Sequence, residues 1–270
     1  MAYGQTAANI AGLYYTGDNS TGTGLQAGGT TESHWSVTYA NVNGTSGNAT
    51  YEGAAYVVNP IDSGWVANTS TAQWIVPPGA KNSGGTVNAG GEQLPGNGTS
   101  TTGGNQEGVY VYTLSFTITG SGAIGTTVTN AVSITLTIAA DDQYQVYVNP
   151  TLNGSGSVNA GSSTLGGSGT SAWSNTQSVT LQNGTTGTNG NAIFKIGPNT
   201  LTIVVDNTNG INSSSTSTAL NASGLLVYQV GSAMTIDGKV VPEVGTWMPV
   251  VLALGLFFLQ RFPRRSPVPV

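Results

Sequence analysis

The chain has 270 residues, a formal charge of −5, one histidine and no cysteine, and only 6% of its residues are charged. The missing cysteines remove disulfide stapling, Cys metal sites and Cys nucleophiles together. Through residue 243 there are three Lys (81, 195, 239) against eleven Asp and Glu, hence −8; without clustered Lys and Arg to grip phosphates, nucleic-acid binding is excluded.

At the N-terminus, residues 1–10 carry neither a basic region nor an apolar run. An export signal is therefore expected upstream of Met1. Short segments rich in Val, Ile, Thr and Tyr follow, bounded by Gly, Asn, Ser and Pro. They predict strands over 36–39, 54–58, 109–119, 132–139, 144–148, 178–181, 201–205 and 225–230. In the third of these, Tyr112, Leu114, Phe116 and Ile118 alternate with Val111, Thr113, Ser115, Thr117 and Thr119, the period-two mark of a strand with one buried face. No stretch before the C-terminal tail has a helical period. Eight such strands predict an all-β fold, an antiparallel β-sandwich or jelly roll occupying residues 1–238. Segments 81–106, 154–170, 182–191 and 207–221 are too poor in apolar residues to form cores, and are read as long polar surface loops.

Two segments of the body carry a resemblance. Ala139-Ala-Asp141-Asp142-Gln-Tyr144-Gln-Val146-Tyr147-Val148-Asn149 reads as strand, acidic turn, strand, and is similar to a hairpin of jelly-roll, galactose-binding-like domains. Gly197-Pro-Asn199-Thr-Leu201-Thr-Ile203-Val-Val205-Asp206-Asn207 resembles a later strand of those domains, and Ser223 to Tyr228 resembles the closing one. The resemblance implies a binding fold, often for carbohydrate. Sugars offer apolar faces and hydroxyl rims, so aromatic platforms beside Asp, Asn and Gln are the side chains to look for. Trp173 lies in a polar Gly/Ser loop and is expected to be exposed. Tyr144, Asp141 and Asp142 are the other candidate glycan contacts, whereas Trp35, Trp65 and Trp74 sit near strand patterns and are expected to fill the core.

Asp141 and Asp142 also invite a calcium reading, because hard cations take carboxylate oxygens. The competing reading is a turn in which the Asp side chains accept nearby backbone N–H groups. Catalytic signals are sparse. His34 is the lone histidine, no Gly-x-Ser-x-Gly elbow exists, and nothing selects among carboxylate pairs such as Glu52 or Glu107 with Asp62 or Asp142.

The tail, residues 239–270, differs from everything before it. Val241-Pro242-Glu243-Val244 leads into an apolar segment over 245–260, followed by Arg261, Arg264 and Arg265. An apolar run closed by arginines is a stop-transfer arrangement, with the cationic end cytoplasmic. Sixteen residues interrupted by Gly and Pro fall short of the roughly 20 that a lasting span needs, so a transient transmembrane helix is expected. The three-part layout resembles the PEP-CTERM sorting signal, with Val244 standing where that family most often has a second proline. The resemblance implies a Gram-negative bacterium, cleavage near Pro242-Glu243 by an exosortase-type membrane protease, passage through the inner membrane, and release to the cell surface or extracellular matrix. The combined expectation is an exported noncatalytic surface protein, with exopolysaccharide as a partner. The alternatives are a carbohydrate-active hydrolase on a jelly-roll scaffold and a purely structural surface protein.

Overall fold

A computed structural model describes residues 9–21, 24–42, 45–46, 49, 51–58, 61, 64–78, 108–119, 123–128, 132–141, 143–153, 157–158, 173–182, 194–207, 223–228, 234–236 and 239–240. The strands are β1 Asn9–Ala11, β2 Thr31–Val42, β3 Thr45–Ser46, β4 Gly53–Val57, β5 Ile75–Val76, β6 Gly108–Thr119, β7 Val132–Asp141, β8 Gln143–Val148, β9 Gln177–Gln182, β10 Gly197–Asn207, β11 Gly224–Tyr228, β12 Met234–Ile236 and β13 Lys239–Val240. Every pairing between them is antiparallel. The fold is all-β. Among the described residues no helix is long and apolar enough to cross a membrane. The expected helix over 245–260, the Pro242-Glu243 motif and Arg261, Arg264 and Arg265 lie outside the described residues.

The strand order β13-β12-β7-β11-β5-β4-β2-β6-β10-β8, with β9 beside β7 and β1 beside β6, falls into two groups joined through β4. On β6, Tyr110, Tyr112, Leu114, Phe116 and Ile118 face inward; β10 offers Leu201, Ile203 and Val205, and β8 offers Tyr144, Val146 and Val148. From the other group come Ile134, Leu136 and Ile138 of β7, Val179 and Leu181 of β9, and Leu225 and Val227 of β11. All belong to one cluster. The period-two pattern thus places the apolar faces of both groups against each other, where water is excluded from each.

Two features of this arrangement differ from the expectation. The predicted strand 36–39 is the middle of a twelve-residue strand, whose register against β6 shifts between Val37 and Tyr39. That irregularity inverts the alternation, so Trp35 and Val37 face the core, and then Ala40 instead of Tyr39. Secondly, β7 and β8 do not form a hairpin: β7 pairs with β9, β11 and β12, whereas β8 pairs with β10. A single intervening residue is too short for the two-residue turn of a hairpin, so the chain passes from one group of strands to the other.

Asn149 and Asn199 tie strand ends together. Asn149, with φ of 47°, donates through Nδ2 to Asn199 Oδ1 at 2.8 Å and accepts the Thr200 N–H at 2.8 Å. Asn199 in turn donates to the carbonyls of Lys195 and Gly197.

Candidate functional site: an aromatic cluster on an outer sheet face

Alternate residues of β5, β7 and β11 point away from the shared core. Val76, Ala139 and Leu226 do so, and they form a second apolar cluster with Val58, Trp65, Ala72 and Trp74 of the loop that crosses this face. Ala139 is short, and Gly224 has no side chain. A Cβ on Gly224 would stand 2.5 Å from Trp65 Cη2 and 3.1 Å from Trp74 Cε3. The two indoles therefore lie directly on the backbone of β11, 4.2 Å apart between ring centroids and inclined at 31°.

Each indole N–H has a fixed acceptor, as buried indoles require. Trp65 Nε1 donates to Asp141 Oδ2 at 2.9 Å, and Trp74 Nε1 donates to the Val66 carbonyl at 2.8 Å. The loop itself is closed by Thr69, whose Oγ1 accepts the Ala72 N–H at 2.7 Å, and by Asn68 Oδ1, which accepts the Trp74 N–H at 3.0 Å. Around the buried pair stands a half-buried rim: Tyr15, Tyr56, Ile61, Val66, Trp173 and Tyr228. The Trp173 carbonyl accepts the Val66 N–H at 2.8 Å, which ties the turn before β9 to the loop. An aromatic rim held on a rigid, desolvated base suits an apolar ring face better than a freely rotating surface side chain does, because little entropy is lost on contact.

The expected contact residues divide. Trp173 is half-buried at this rim, not freely exposed, since its side chain packs on the tryptophan cluster. Tyr144 is fully buried in the shared core and donates to Gln177 Oε1 at 3.1 Å, so its ring offers no face to a glycan. Burial pushes its hydroxyl up to about 12. Asp141 is 6% exposed and accepts the Trp65 indole N–H across 76 residues of sequence. Asp142 lies outside the described residues, as do Asp62 and Glu107. Among the described residues no group of three or more His, Cys, Asp or Glu is placed to hold a metal ion. Trp35, Trp65 and Trp74 are 1%, 6% and 0% exposed, as core filling requires. His34 stacks on Tyr14 with centroids 3.6 Å apart, and its Nε2 meets the Asn19 carbonyl at 2.8 Å.

A second polar constellation escaped the sequence reading. Residues 12–19 form a strap across the sheet, where the Thr16 N–H donates to the Val227 carbonyl at 3.1 Å and Thr16 Oγ1 accepts the Val227 N–H at 2.9 Å. Gly17, at φ of 76°, donates its N–H to Glu32 Oε2 at 2.7 Å, and a Cβ there would lie 2.7 Å from Gln73 Cβ. Glu32 Oε1 accepts the His34 N–H at 2.9 Å. Burial pushes the Glu32 carboxyl up to about 7, a smaller push comes from Asp18, and the backbone N–H groups of His34, Gly17 and Trp35 pull the other way. A raised carboxyl near neutrality has the acidity of a general acid. Both Glu32 oxygens are nevertheless occupied by backbone N–H groups, so Glu32 fastens the strap. The only sequence signal for this was Gly17 itself.

No family model, curated protein or solved structure matches this chain.

Proposed function

We propose that this chain is an exported, noncatalytic β-sandwich of jelly-roll type that binds polysaccharide at the cell surface or in the extracellular matrix. Residues 239–270 deliver it: the segment over 245–260 enters the inner membrane transiently, Arg261, Arg264 and Arg265 hold its cytoplasmic end, and an exosortase-type protease acts at Pro242-Glu243. The observation that carries the binding reading is the half-buried rim of Tyr15, Tyr56, Trp173 and Tyr228 around the seated Trp65–Trp74 pair. Hydrolysis on the same scaffold would need two carboxyl groups with free oxygens facing each other across a cleft. Two of the described carboxylates are engaged otherwise: Glu32 accepts backbone N–H groups on both oxygens, and Asp141 accepts from an indole.

Retention of the purified chain on a panel of immobilised polysaccharides tests the reading, with Trp173→Ala alongside. The wild type is expected to be retained on at least one glycan, and the variant to bind it at least about tenfold more weakly while keeping the wild-type circular dichroism spectrum. Retention on none of them would leave a purely structural surface protein as the better account.

A further inference from the structure

We infer that the aromatic rim continues into a ladder of hydroxyl groups along β7 and β9, and that rim and ladder together take an extended stretch of a neutral polysaccharide. The inference rests on the glycan-binding reading above. Ala139 belongs to the outer cluster, so Thr137, Thr135 and Ser133 share its face at period two, while Leu136 and Ile138 belong to the inner core. Across the sheet, Tyr228 of the rim pairs with Thr137, and Thr137 pairs with Ser178, which makes one row of ring and two hydroxyls. The next row pairs Thr135 with Thr180, whose hydroxyl oxygens lie 3.1 Å apart. Ser178 is exposed, Ser133, Thr135 and Thr180 are half-buried, and Thr137 is 5% exposed.

The ladder has the length and chemistry of a saccharide track. From the row of Tyr228 and Ser178 to Ser133 the track runs roughly 14 Å at about 3.4 Å per residue, with Thr137 buried and Ser178, Thr135, Thr180 and Ser133 as its accessible rungs, beyond the reach of a single sugar ring at the rim. A hydroxyl both donates and accepts, so a rung already bonded to its neighbour keeps acceptor capacity for a sugar hydroxyl. Aromatic rings at one end and hydroxyls beyond them supply the two contacts that a sugar chain offers, apolar ring faces and polar edges. Charge decides the class. No Lys or Arg stands on these rows, Asp141 lies under the aromatic end, and the chain through residue 243 carries −8, so a polyanionic glycan meets repulsion without a compensating cation.

Calorimetric titration of the full chain with cellohexaose, laminarihexaose, glucose and hexagalacturonate tests this. At least one neutral hexasaccharide is expected to bind at least about tenfold more tightly than glucose, with hexagalacturonate weaker still. The double substitution Thr135→Val with Thr180→Val keeps side-chain shape and strand propensity while removing the hydroxyls. It is expected to weaken the hexasaccharide about tenfold, to leave glucose unaffected, and to leave the circular dichroism and melting temperature unchanged. Binding that needs Trp173 but is equal for glucose and hexasaccharide, or is insensitive to the double variant, or is as tight for hexagalacturonate, would overturn the ladder while sparing the rim. An absence of binding to every saccharide, with Trp173→Ala indistinguishable from wild type, would overturn both.

Discussion

Glu32 shows how burial and hydrogen bonding compete on a single carboxyl group. At 2% exposure the desolvation cost outweighs the backbone N–H groups that it accepts, and its proton is held up to about pH 7 against an ordinary value of 4.5. The folded value lies above the unfolded one, so folding takes up a proton across this window. The stabilisation is complete below about pH 4.5, declines as the pH rises, and is lost above about pH 7. Its size is bounded at about 3 kcal/mol. Glu32→Gln cannot titrate, so urea unfolding at about pH 5 and about pH 8 should show a marked loss of stability in wild type and a much smaller one in the variant. Equal losses in both proteins would show that another group controls the dependence.

Among elements, the contact between β11 and the crossing loop is the most sharply constrained. Gly224 is required because the indoles occupy the space of its missing Cβ, at 2.5 Å and 3.1 Å. Gly224→Ala must displace two rings whose N–H groups are anchored to Asp141 and Val66, and is expected to cost about 1–3 kcal/mol as an overpacked site. Loss of stability with a shifted tryptophan emission would confirm it, and an unchanged spectrum and midpoint would refute the seating. In Ala139-Ala-Asp141-Asp142-Gln the polar break between two apolar runs reads as a hairpin turn, yet nothing local records that β7 and β8 seek different partners. Likewise, the two-residue β5 and the short β12 and β13 have too few residues to show a period, and exist through their neighbours.

For the whole molecule, one shared core joins both groups of strands, and without cysteines it rests on that core and its hydrogen bonds. The last described strand, β13, ends at Val240, two positions before Pro242. The proposed sorting motif thus follows the sheet directly. Mass spectrometry of surface-released protein should find a C-terminus near Glu243 and no peptide from Trp247 to Val270; an intact tail would turn the proposed address into an anchor.

What the sequence determined by itself is what depends on local pattern. Strand periodicity on 109–119 and 132–139 and the absence of a helical period before the tail follow from side-chain polarity at fixed spacing, and the core role of Trp35, Trp65 and Trp74 follows from the large apolar surface of the indole, which hydrophobic burial takes out of water. Tertiary structure alone decided which face of each strand met which other. It buried Tyr144, drew Asp141 onto Trp65 across 76 positions, set Trp173 half-buried on an indole pair, and aligned Thr135 with Thr180. The physical reason is range. Alternation is a property of neighbouring residues, whereas register, strand order and the seating of a ring on a glycine are settled by packing between segments far apart in the chain.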